Sequence, residues 1–167
     1  KPCGVIGTIS YRWGGRVLPA SKTTPEAIDT QKLLGEMQRE GCQYIFMEVS
    51  SHAMAQHRVD DVEFRTGIFT NISLDHLDYH GTFEEYLKAK RRFFESLGKN
   101  AAAIVNYDDP RSSSIIDSTQ ARLITYGIER KADVVATNIS LRREGINFTA
   151  QVYGKRADIE LKLLGKG

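Results

Sequence analysis

The stretch TFEEYLKAKRRFFESLGKNAAAIVNYDDPRSSSIIDSTQARLITY, Thr82 to Tyr126, decides the fold. Thr82 reads as the N-cap of a helix that runs to about Leu97, where Gly98 stops it. Ala101 to Val105 is a short apolar run bounded by turn residues, and so a buried strand. DDPRSSSIID, residues 108–117, reads as a short helix, and Arg122 to Tyr126 as another strand. The same alternation extends upstream. Gly4 to Ile9 is an apolar run, followed by YRWGGRVLPASK (11–22), which reads as turn-rich and irregular. Thr23-Thr24-Pro25-Glu26 then has the form of a helix start, with Thr at the N-cap and Pro in the first turn. Ala27, Thr30, Leu34 and Met37 share one helical face, and Gly41 ends the pattern. YIFMEV (44–49) reads as a buried strand with one charge, Glu48, near its end, and TGIFT (66–70) as the next strand.

Strands alternating with helices imply an α/β protein built on a mostly parallel sheet flanked by helices. From about Asp133 the pattern changes. VVATNISL, INFTAQVY and ADIELKL alternate apolar and polar residues and are joined by RREG and GKR turns. These predict three antiparallel strands. The expected organisation is an α/β part over residues 1–130 and a small three-stranded antiparallel subdomain over 131–167.

Composition agrees with a globular fold. The chain has 167 residues, 41% hydrophobic and 26% charged, enough to bury a core without a disulfide or metal staple. The net charge of +2 argues against duplex nucleic acid as a main partner, because phosphate neutralisation needs clustered cations. No apolar run is long enough to span a membrane. Cys3 and Cys42 form no CxxC pair and read as free thiols. The start, KPCGVIGTIS, has no leader pattern and lacks Met, and LKLLGKG stops just after a strand-like run. The chain reads as a portion of a longer protein.

Candidate chemistry clusters between residues 48 and 90. All four histidines, His52, His57, His76 and His80, follow predicted strand ends, where open α/β sheets bind ligands. Taken singly, Ser50, Ser51, Asn71 and Asp75 read as loop and cap residues; as a cluster they mark a site. Lys90 falls within the helical stripe of Phe83, Tyr86, Leu87, Phe94 and Leu97, whereas Lys88, Arg91 and Arg92 point elsewhere. An inward lysine needs a partner or loses its charge. It reads either as a snorkelling or ion-paired lysine, or as one held near phosphate, metal or covalent chemistry. Glu48, ending an apolar strand, also needs a partner, and a cation shared with His76 is the simplest. The alternative is zinc held by the histidines, with His76 and His80 at i, i+4.

Three segments, TTPEAIDTQ (23–31), MEVSSHAMAQHRV (47–59) and FTNISLDHLDYHGTFEEYLKAKRRFF (69–94), in this order and at these spacings, resemble the Mur ligases. They are most similar to the branch that adds a diamino acid to UDP-MurNAc-L-Ala-D-Glu during peptidoglycan synthesis. The resemblance implies the central ATP-binding domain of such an enzyme, working in the cytoplasm with ATP and magnesium. It implies magnesium ligands at Glu48 and His76, and a carbamylated Lys90 that also helps hold magnesium. It places the UDP-MurNAc-dipeptide on Thr23, Thr24, Ser50, Gln56 and Arg58. In the implied reaction ATP phosphorylates the terminal carboxylate of the dipeptide. The amine of meso-diaminopimelate or L-lysine then attacks the acyl phosphate and expels phosphate.

Two departures stand out. No GxxxxGKS/T phosphate loop occurs in the 167 residues, so the chain alone is expected to be inactive. Lys22 stands before the threonine pair, where sequences of this branch usually have Asn. The competing readings are another Mur ligase, a folylpolyglutamate synthase-like ligase, and a zinc hydrolase using the His52–His80 cluster.

Overall fold

The computed structural model describes residues 1–73 and 77–162. The chain forms two compact units, one comprising residues 1–63 and 74–96, the other 64–73 and 97–167.

The first unit is built on a four-stranded sheet: β1 (Cys3–Ile6), β2 (Ser10–Trp13), β3 (Arg16–Pro19) and, after helix α1 (Ala27–Arg39), β4 (Tyr44–Met47), in the order β3-β2-β1-β4. β1 and β4 are parallel, with Ile6 opposite Met47, and the other pairs are antiparallel. The hairpin β2–β3 corrects the expectation of irregular chain over residues 11–22. Gly14 and Gly15, at φ 53° and 83°, supply the two left-handed residues that a tight hairpin needs. Tyr11 and Trp13 alternate inward around an outward Arg12. With Ile6, Leu33 and Met37 they make the core under α1.

β4 is not the fully buried strand expected. Ile45 and Met47 pack on that core, whereas Tyr44 and Phe46 on the opposite face are 51% and 59% exposed. The start of α1 also differs from expectation. Its N-cap is Glu26, without a side-chain cap, and Thr23 and Thr24 make other bonds. Short α2 (Ser51–Ala55) follows β4, and α3 (Leu77–His80) leads into α4 (Phe83–Glu95). As expected, Thr82 caps α4, accepting a bond from the Glu85 N–H at 3.2 Å.

The second unit holds a six-stranded sheet in the order β10-β9-β8-β7-β6-β5. β5 (Thr66–Phe69), β6 (Ala102–Asn106), β7 (Arg122–Gly127) and the start of β8 (Val134–Arg142) run parallel. β9 (Gly145–Val152) and β10 (Lys155–Leu161) complete the expected antiparallel meander. The meander therefore continues the parallel sheet through the β7–β8 pair. Helix α5 (Ser112–Ile116) packs against β6, with Ile115, Val105, Ala103 and Phe69 buried. Carboxylates organise the loops. Asp108 accepts from the N–H groups of Ile128 (2.6 Å), Arg130 (2.8 Å) and Glu129 (3.2 Å). These bonds hold its carboxyl below the ordinary value. Asp133 accepts from the Thr125 N–H and hydroxyl and is lowered likewise.

Among the described residues no helix is long and apolar enough to cross a membrane, and both cysteines are free thiols.

Candidate functional site

Thr23, Thr24, Glu48, Ser50, Gln56, Arg58 and Lys90 all lie in the first unit, and Asn71 in the second; His76, the expected second magnesium ligand, lies outside the described residues. Glu48 follows β4 directly, its N–H donating to Ile6 O at 2.9 Å. The expectation that a cation is its simplest partner is modified by Thr8. Both the backbone N–H (2.9 Å) and the hydroxyl (2.6 Å) of Thr8 donate to Glu48 Oε2. Oε1 takes no hydrogen bond from a described residue, and the side chain is exposed. A Cβ placed on Gly7 would lie 3.0 Å from the Glu48 carboxyl carbon, so glycine makes room for the carboxylate to fold over β1. One oxygen locked and one open is the arrangement a hard divalent cation can use.

The hydroxyl of Thr8 also lies 3.1 Å from that of Thr23. Thr8 has a single proton and gives it to Glu48, so Thr23 must donate to Thr8. Thr23 then offers only lone pairs to anything outside. Thr24 is 1% exposed. Its hydroxyl donates to Glu48 O (2.8 Å) and accepts from the Ser50 N–H (3.0 Å), tying the helix-entry segment to the end of β4. Ser50 Oγ caps α2 by accepting from the Ala53 N–H at 3.1 Å, which leaves its own proton to donate.

Arg58 is 9% exposed. Its Nη1 donates to Thr24 O at 2.9 Å, and its Nη2 contacts Gln56 Oε1 and, at 3.3 Å, Glu26. Its Nε is buried and has no hydrogen-bond partner among the described residues. Glu26 is held below the ordinary carboxyl value, chiefly by a hydrogen bond from Lys22 and then by the charge of Arg58. The unexpected Lys22 therefore spends its charge on Glu26.

Gln56 Nε2 donates to Tyr79 Oη at 3.0 Å. The Tyr79 ring packs 4.1 Å from His52 and edge-on, 4.9 Å, to His80. A nitrogen of His80, Nε2, lies 2.9 Å from the buried Ser51 hydroxyl, and its ring is 5.4 Å from Tyr86. Tyr86 in turn holds Lys90 Nζ 5.3 Å from its ring centre. Lys90 is half-buried, as its place in the apolar stripe requires, and an aromatic face is one of its partners. Thr23, Thr24, Glu48, Ser50, Gln56, Arg58 and Lys90 thus belong to one continuous network. The zinc reading is not favoured: the ring of His57 is engaged by Asp60 and Arg92. Among the described residues no three His, Cys, Asp or Glu side chains could share a metal.

Residues 1–167 match the Mur ligase middle domain family over their whole length. The chain belongs to that family. A UDP-N-acetylmuramoyl-L-alanyl-D-glutamate–2,6-diaminopimelate ligase of Caldanaerobacter subterraneus is 44% identical over 162 residues, 97% of this chain and 33% of the relative. The corresponding ligase of Geobacillus kaustophilus is 40% identical over 171 residues, 99% of this chain and 35% of the relative. A solved structure of a ligase with the same name superposes with a TM-score of 0.89 at 29% identity, covering 99% of this chain and 34% of that one. The chain spans about a third of the length of these relatives.

Proposed function

We propose that these residues are the central domain of an ATP-dependent ligase that joins 2,6-diaminopimelate to UDP-MurNAc-L-Ala-D-Glu in the cytoplasm. The observation that supports it best is the network running from Thr8 and Glu48 through Thr24 and Arg58 to Lys90, which ties the three motif segments together. The names of the relatives favour diaminopimelate over L-lysine as the incoming amino acid. In this reading residues 1–130 are the α/β part of the ATP-binding central domain and 131–167 a small antiparallel subdomain of the same domain.

Arg58, fixed by Thr24 O and Gln56, presents a planar cation suited to a carboxylate of the dipeptide. Thr23 accepts and Ser50 donates hydrogen bonds to the nucleotide-sugar peptide, and Gln56 orients Arg58. Thr24, with both sides of its hydroxyl used, holds Glu48 and Ser50 in register. Glu48, His76 and a carbamylated Lys90 would hold magnesium, which when bound neutralises phosphate charge during acyl-phosphate formation. Carbamylation joins the neutral Lys90 Nζ to carbon dioxide through a new N–C bond with loss of one proton, leaving a carbamate anion where the protonated lysine would carry a positive charge.

The test is ligation by the full-length protein supplied with ATP, magnesium, the nucleotide dipeptide and diaminopimelate. Glu48→Gln should lower turnover and raise the magnesium requirement. An active enzyme indifferent to Glu48→Gln at limiting magnesium would refute the ligand assignment, and no ATP-dependent tripeptide product would refute the function.

A further inference from the structure

His57 stands apart from the residues used above. It has φ 58°, a conformation that L side chains avoid, just after α2. The bonds there define the helix ending: Arg58 N–H donates to Ala53 O (3.0 Å) and His57 N–H to Met54 O (3.4 Å). The end of α1 has the same pair of bonds, Cys42 N–H to Met37 O and Gly41 N–H to Gln38 O, and there the left-handed position is Gly41, φ 83°. One chain thus builds the same ending twice, once with the unstrained residue and once with a histidine. The strain at His57 must be set against what its side chain does.

That side chain reaches α4. Nδ1 is 2.6 Å from Asp60 Oδ2, so Nδ1–H donates to the carboxylate. Arg92 contacts both ring nitrogens, Nη2 to Nδ1 at 2.8 Å and Nη1 to Nε2 at 3.4 Å, and Nη2 also donates to Asp60 Oδ2 at 3.1 Å. Arg92 is two residues from Lys90 on α4, and His57 is adjacent to Arg58. The side chains are 60% (His57), 38% (Asp60) and 41% (Arg92) exposed, so the contacts are screened and their value lies in orientation more than in stability.

We propose that His57, Asp60 and Arg92 form a clamp that fixes α4, and with it Lys90, against the turn that presents Arg58, making His57 and Arg92 positioning residues of the ligase site. The catalytic part of this inference rests on the function proposed above; the mechanical part does not. The experiment uses the full-length protein with His57→Gly, Arg92→Ala and the double variant, followed by amide hydrogen exchange over α4, thermal unfolding and steady-state kinetics. His57→Gly removes the strain together with the clamp, so the melting temperature should stay level or rise. Exchange across α4 should nevertheless quicken several-fold in both single variants, and the double variant should add little more. Turnover should fall about tenfold in each single variant, and Arg92→Lys should restore part of it. Unchanged α4 exchange in both single variants would overturn the clamp. Faster exchange with wild-type turnover would overturn the positioning role. A wild-type protein without ligase activity, but with clamp-dependent exchange, would refute the proposed function while supporting the clamp.

Discussion

Replacing Thr8 by Val tests whether the lock on Glu48 matters. Valine keeps the shape and the backbone N–H but removes the hydroxyl that donates to Glu48 Oε2 at 2.6 Å and accepts from Thr23. A hydrogen bond to a charged group contributes about 1.5–3 kcal/mol when fully realised. Thr8 and Glu48 are exposed, so folding should lose less than about 1 kcal/mol, as for most surface substitutions. Metal affinity should suffer more. Groups that orient a ligand typically change affinity or activity by about 10–100-fold, and the remaining Thr8 N–H bond at 2.9 Å argues for the lower end. The assay is ligation by the full-length enzyme across a magnesium titration. Thr8→Val should shift the half-saturating magnesium about tenfold upward with little change in melting temperature, and Thr8→Ser should return it close to wild type. A magnesium profile unchanged in Thr8→Val but shifted in Glu48→Gln would refute the argument.

Three further outcomes are expected. Arg58→Lys cannot span Thr24 O and Gln56 at once; it should cost about 1–2 kcal/mol of stability, since relief of the unpaired Nε offsets part of the loss, and raise the KM for the nucleotide dipeptide, measured by denaturation and initial rates. Lys90→Ala in the full-length enzyme should be inactive and partly restored by short carboxylic acids; restoration by small amines instead would identify Lys90 as a cationic clamp. Asp108 and Asp133 have folded-state values below their ordinary ones, Asp108 chiefly through the Ile128 N–H and Asp133 through Thr125. Their stabilisation is therefore complete above the unfolded value of about 4 and lost as pH falls through the lowered ones. Protection of the Ile128–Arg130 amides, corrected for intrinsic exchange, should fall over that acid range, and Asp108→Asn should abolish the dependence.

The strand–helix alternation from Thr82 to Tyr126 and the meander after Asp133 were legible because each pattern is local: period 3.6, period 2 and turn residues suffice. The hairpin at residues 10–19 was missed, because Gly14-Gly15 among short polar and apolar residues reads equally as irregular loop until its strands have a partner. Lys90 announced itself by breaking an apolar stripe. Thr8, Asp60 and Arg92 gave no comparable sign, because nothing in their own segments conflicts with an ordinary surface. Their roles arise where distant segments meet. Thr8 reaches Glu48 only because β1 pairs in parallel with β4, Ile6 against Met47. Arg92 reaches His57 only because α4 packs on α2. The sequence by itself determined which residue types were available and which local structures would hold them. The tertiary structure decided the partners, because a carboxylate or an imidazole is satisfied by whichever donor the packing brings within about 3 Å, and that distance is not encoded in either segment alone.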